Sequence, residues 1–177
     1  MINSLFKIFI ILISLISPIL VSAACFDDLD PAENDRVRPY IDEAIKHSVE
    51  LIEGGKRTTA LYQEASKAKG LPDLRKKITE IEIHTRMILE HAKETINALN
   101  GALGAPDITK EAKGHGEEAL ARINEAITNL RQTLNSTKAA ASSPDYSKTM
   151  EQTMEGTRYA ERARSLAEEG YVSIKKM

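Results

Sequence analysis

Ile81-Glu82-Ile83-His84-Thr85-Arg86-Met87-Ile88-Leu89-Glu90-His91-Ala92-Lys93-Glu94-Thr95-Ile96-Asn97-Ala98-Leu99 is the run from which the fold can be read. Ile81, Ile88, Ala92 and Leu99 recur at helical spacing and form one apolar stripe. The run is therefore an amphipathic helix whose stripe needs other helices to cover it. His84, Met87 and His91 lie along the flank of the stripe, three and four residues apart, which stacks their side chains on successive turns. Two imidazoles and a thioether so placed suit a late transition metal such as copper. The same residues equally fit an ordinary helix boundary, with Met87 filling the core and the histidines at its edge.

On either side the pattern repeats. This second helix runs from about Pro72 to Asn100, where Asn100-Gly101 and Gly104-Ala105-Pro106 mark a turn. Before it, a helix starts near Arg38, with Pro39 acceptable in its first turn, and passes through Tyr40, Ala44, Ile45, His47, Ser48, Leu51 and Ile52. Gly54-Gly55 weakens it, each Gly costing about 1 kcal/mol relative to Ala. The pattern resumes with Leu61, Ala65 and Ala68 until Gly70-Leu71-Pro72 stops it. One bent helix and two short ones both fit residues 39–69. Beyond the turn, Asp107 is the expected N-cap of a third helix ending near Ser136, with a stripe of Leu120, Ile123, Ile127, Leu130 and Leu134. Thr137 to Pro144 reads as a small-residue connection. The last helix spans about Tyr146 to Lys175, with Met150, Met154, Ala160, Ala163 and Leu166 expected to face inward. Four segments of about 30 residues, each about 45 Å long, joined by short connections, predict an all-α, up-down-up-down four-helix bundle over residues 38–177.

The amino terminus is of another kind. Residues 1–7 carry one positive charge, residues 8–21 are apolar, and Ser22-Ala23-Ala24 follow. A basic start, a short apolar core and small residues predict a secretory signal peptide over 1–23, with Ala24 the first mature residue in a periplasmic or secreted protein. The apolar run is short for a spanning helix, which needs about 20 residues, and Pro18 interrupts it; an uncleaved anchor is the competing reading. Residues 24–37 read as an acidic, extended leader. Cys25 is the only cysteine, so no internal disulfide forms. Its place also raises a lipid anchor through Cys25, although Ser22 stands where a lipobox prefers Leu.

Lys7 is the one charged side chain before residue 24, so the rest of the chain is net −3, with 26 acidic and 23 basic residues. That balance argues against a nucleic-acid partner. The stripes leave monomer and homodimer equally open. Nothing resembles a haem attachment motif, a phosphate loop, a His-Glu-x-x-His helix or a nucleophile elbow. The expectation is a non-enzymatic protein. Met87, Met154 and the histidines also offer ligands for non-covalent haem, and the Glu-x-x-His pair of a di-iron bundle is not present twice.

Three segments share a local pattern: His47-Ser48-Val49-Glu50, His91-Ala92-Lys93-Glu94 and His115-Gly116-Glu117-Glu118, with Tyr159-Ala160-Glu161-Arg162 a looser fourth. From the expected helix ends, His47, His91 and His115 share one height in an antiparallel bundle, as a metal site between helices requires. Glu168 or Glu169 would supply an oxygen at that height, and His84 with Met87 a second, weaker site. Surface histidines without a metal fit the same pattern.

Tyr40-Ile41-Asp42-Glu43-Ala44-Ile45-Lys46-His47, Ile88-Leu89-Glu90-His91-Ala92-Lys93-Glu94 and Gly114-His115-Gly116-Glu117-Glu118-Ala119 resemble the small metal-binding protein family, over about residues 38–134. The resemblance implies an exported helical bundle that binds copper and other divalent metals and buffers or scavenges them. It carries over to His47, His91 and His115, and less closely to His84. This chain holds four histidines in all, fewer than the His-rich members of that family. A helical interaction or chaperone-like protein of the cell envelope, with an exposed apolar groove and no metal, is the alternative of a different class.

Overall fold

The computed structural model describes residues 31–177, with side chains from Arg36 onward. The expected signal peptide, the lipid-anchor reading of Cys25 and residues 24–30 of the expected leader lie outside the described residues. Four helices make up the described chain: α1 (Pro31–Ala65), α2 (Leu71–Leu103), α3 (Lys110–Ser142) and α4 (Tyr146–Ile174). They form an up-down-up-down four-helix bundle, as the stripes predict. α3 and α4 share a broad face, α2 packs on α3, and α2 meets α4 only narrowly, as diagonal helices do. α1 closes the square. Its Gly54 abuts Ile88 of α2 and its Gly55 abuts Arg164 of α4.

Those contacts explain why α1 is one helix. A side chain at Gly54 would collide with Ile88, and a Cβ at Gly55 would come within 3.3 Å of Arg164. The glycines lower helix propensity, but close packing on two neighbours outweighs that local loss. α1 also begins earlier than the sequence suggests. Residues 31–37 are its first turns rather than an extended leader, because Pro31 suits the first helical position, where its missing N–H is not needed. Pro39 then lies inside the helix and removes one backbone donor.

The other ends shift in the same direction. α2 continues through Gly101, against which the Tyr40 ring packs, and stops at Gly104. The N-cap of α3 is Thr109, not Asp107: the Thr109 hydroxyl accepts from the Ala112 N–H at 3.1 Å. The Ala/Ser-rich run after Thr137 is helical to Ser142, since Ala is the strongest helix former and Ala140 is buried. Asp145 caps α4 by accepting from the Lys148 N–H at 2.8 Å. The two loops at that end are tied together. Tyr146 Oη donates to the Ala68 carbonyl at 2.6 Å, and Arg75 donates to the Ser143 carbonyl at 3.0 Å.

The expected stripes of α2 and α3 are buried. Ile81, Ile88, Ala92 and Leu99 join Ile123, Ile127, Leu130 and Leu134 inside, with Leu120 at the margin. In α4, Ala160, Ala163 and Leu166 are inside, but Met154 is exposed and Met150 only half-buried. The inner row at that level is Thr149, Thr153 and Gly156. Gly156 leaves room for the Tyr62 ring of α1, whose hydroxyl pairs with Thr137 Oγ1 at 2.9 Å. Among the described residues, no helix is long and apolar enough to cross a membrane.

Candidate metal centre

His47 of α1 and His91 of α2 have the same helical setting. Each is followed by a small, fully buried residue, Ser48 or Ala92, which turns the histidine onto the flank of the core. In both helices that flank faces the other helix. The two imidazoles stack, with ring centroids 5.9 Å apart and planes 25° from parallel. Each histidine also carries a glutamate three residues on, Glu50 and Glu94, on the same flank.

The four side chains converge. His47 Nδ1 lies 3.1 Å from Glu50 Oε2 and 3.0 Å from Glu94 Oε2. His91 Nδ1 lies 3.0 Å from Glu50 Oε2 and 3.2 Å from Glu94 Oε2. Nitrogen and oxygen thus alternate around a closed ring, each glutamate touching both histidines. Equal edges of that length enclose a point about 1.9–2.2 Å from every corner, for geometries between tetrahedral and square-planar; metal–nitrogen and metal–oxygen bonds are about 2.0–2.2 Å.

The chemistry agrees with the geometry. Each Nδ1 holds at most one hydrogen, so two hydrogens serve four N···O approaches, whereas one cation draws all four lone pairs inward. Two carboxylates held this close repel unless positive charge lies between them. His47 is the best shielded of the four, its side chain 12% exposed; Glu50 and Glu94 remain open to solvent on the outer side. Beyond the ring, Glu43 Oε1 lies 3.8 Å from His47 Nε2. An outer carboxylate beside the second nitrogen favours the tautomer whose Nδ1 lone pair faces the ring. At the corresponding position before His91, α2 carries Met87.

The structure brings together two of the five residues singled out in the sequence, His47 and His91. His115 and His84 are not in the cluster, and Met87 is 54% exposed one turn from His91. The equal height expected for His115 came from misplaced helix ends. A Cβ on its neighbour Gly116 would strike Leu103 and Met177, so His115 sits at the level of Leu103. Leu103 is twelve residues beyond His91 on α2, about 18 Å along the axis. His84 lies about 10 Å from His91 in the other direction along the same helix. Glu168 and Glu169, the expected oxygen donors, are engaged elsewhere: Glu169 pairs with Arg122 at 3.3 Å and Glu168 with Arg164 at 3.7 Å.

The oxygens that do converge, Glu50 and Glu94, were already present in the repeated motif as its fourth residue. Reading the pair as His-x-x-Glu on antiparallel helices, rather than searching for Glu-x-x-His, finds them. Comparison of the chain with family models, with curated proteins and with solved structures gives no match. The functional reading therefore rests on this cluster of His47, Glu50, His91 and Glu94, whose ligand atoms all lie within 4.8 Å of one another.

Proposed function

We propose that the chain is an exported, non-enzymatic protein that sequesters or buffers a divalent transition metal, copper(II) foremost, at His47, Glu50, His91 and Glu94. The observation that carries this reading is the closed ring of two imidazole nitrogens and two carboxylate oxygens with edges of 3.0–3.2 Å. Two imidazoles and two carboxylates suit borderline divalent ions rather than Cu(I), and the Irving–Williams order places Cu(II) above Zn(II) at such a site. Export rests on the basic, apolar and small-residue order of residues 1–23. Ligands on two packed helices hold the donor atoms in place before an ion arrives, and the exposed glutamates give it a way in and out. That combination suits reversible storage.

Calorimetric titration of the purified protein with Cu(II) and with Zn(II) tests the reading. One ion per chain should bind at this site, with Cu(II) the tighter, and His47→Ala with His91→Ala should abolish that binding. Unchanged binding in the double variant, or none in the parent, would overturn it. Recovery of a periplasmic form whose first residue is Ala24 tests the export half separately.

A further inference from the structure

The run Glu43-x-x-x-His47-x-x-Glu50 of α1 has a full copy in α3: Glu111-x-x-x-His115-x-x-Glu118. The copy keeps the same rotational setting, because the residue after the histidine is again small and buried: Gly116 stands where Ser48 and Ala92 stand in α1 and α2. Within the chain, however, nothing pairs with it. Among the described residues neither the His115 nor the Glu118 side chain takes part in a hydrogen bond or ion pair, and neither joins the four-residue cluster. Glu111 and Glu118 are exposed, His115 is half-exposed, and Gly114 beside them opens onto free space.

We propose that His115 and Glu118 are one half of a second metal site, completed by the same two residues of a second copy of this chain. The proposal rests on the reading of the α1–α2 ring as a metal site, since that ring shows what the motif does when it meets its like. Two features of the ring transfer to a dimer. α1 and α2 are antiparallel, and their two histidines stack against each other. A two-fold axis perpendicular to α3 and beside His115 sets α3 antiparallel to its copy and places each residue near the axis opposite itself. The symmetry of an isologous dimer thus supplies both features, and Glu111 takes the outer position that Glu43 holds beside His47. The ligand is a divalent transition ion, one per dimer, so metal supply would control assembly.

The test uses the full chain carrying His47→Ala and His91→Ala, followed by sedimentation velocity during titration with Zn(II) and, separately, Cu(II). The expected result is a monomer without metal and a dimer that saturates at half an ion per chain. Chelation should reverse it, and adding His115→Ala or Glu118→Gln should abolish it with the helical circular dichroism unchanged. A monomer at every metal ratio, a dimer that needs one or more ions per chain, or a dimer that survives His115→Ala would overturn the proposal. His47→Gln with His91→Gln provides a second version of the double variant if the first loses helicity. The α1–α2 reading is judged separately by His115→Ala in the otherwise native chain. That variant should remain monomeric and bind one ion per chain; no binding there would sink the ring and not the dimer.

Discussion

Around His47 and His91 the ionisable side chains lie on the flank, over a mostly apolar core: Ile41, Ala44, Leu51, Ile88, Ala92 and Leu99 are all buried, beside the hydroxyls of Ser48 and Thr95. Toward the opposite end, around Tyr62, polar groups lie inside. Thr133, Thr137, Thr149 and Thr153 are buried there, and their hydroxyls donate to carbonyls four residues back, at 3.0, 2.7, 2.7 and 2.7 Å. A threonine bonded to its own helix needs no partner across the interface, so α3 and α4 can approach closely over small side chains. The first region leaves ionisable groups unsatisfied by the backbone and gathers them between helices. The second bonds most of its threonine hydroxyls within their own helices, and its Tyr62 hydroxyl pairs with Thr137 Oγ1 of α3. In this molecule, site chemistry collects where side chains must find each other.

The contrast can be broken most forcefully at Ile88, which lies against Gly54 where α1 and α2 approach. Ile88→Ala should cost about 2–5 kcal/mol, read from urea denaturation, and should weaken metal binding because it loosens the seam that aligns the ring. Saturating metal should restore about 2.7 kcal/mol at a hundredfold excess over its dissociation constant. A variant as stable as the parent would mean that the seam is not held by this contact.

The far region should show a pH response of its own. Burial pushes the Tyr62 phenol up to about 12, with the Thr137 hydrogen bond pulling weakly the other way. Below about pH 10 the phenol is neutral in both folded and unfolded chains and stability does not depend on it. Between about pH 10 and 12 the unfolded chain releases the proton first, so folding stability falls as pH rises, by about 3 kcal/mol in all. The parent and Tyr62→Phe compared across that window isolate the effect from lysine titration. Parallel stability curves would show that burial of Tyr62 does not govern it.

A smaller effect sharpens the site side of the comparison. Glu43→Gln removes the outer carboxylate beside His47 while leaving all four ring ligands. It should weaken metal affinity by about tenfold without shifting the thermal midpoint of the metal-free protein. An unchanged affinity would mean that the ring alone sets the tautomer of His47.

The four helices and most of the core were legible in the sequence because aliphatic side chains at positions such as Ile81, Ile88 and Leu99 mark the buried face directly. The inner face of early α4 was not. Thr149, Thr153 and Gly156 carry no hydrophobic signal, and the adjacent Met150 and Met154 carry a strong one. Helix ends were the other loss. Extension of α2 to Leu103 and the start of α3 at Lys110 shift His115 away from His91, which undid the three-histidine layer. At the site, the spacing of His47 and His91 was readable, but Glu50 and Glu94 were hidden among 26 acidic residues. Only packing shows which carboxylates cross to a neighbouring helix.

The ring lies wholly between α1 and α2, consecutive helices joined by the short stretch 66–70. Its consequence is kinetic. Contacts close in sequence form early, because little chain entropy is lost in closing the loop between them. A growing chain carries every ring ligand once Glu94 has emerged, with α3 and α4 still to come. An ion held by this first hairpin would be in place before the remaining helices dock, and would serve as a nucleus on which they fold.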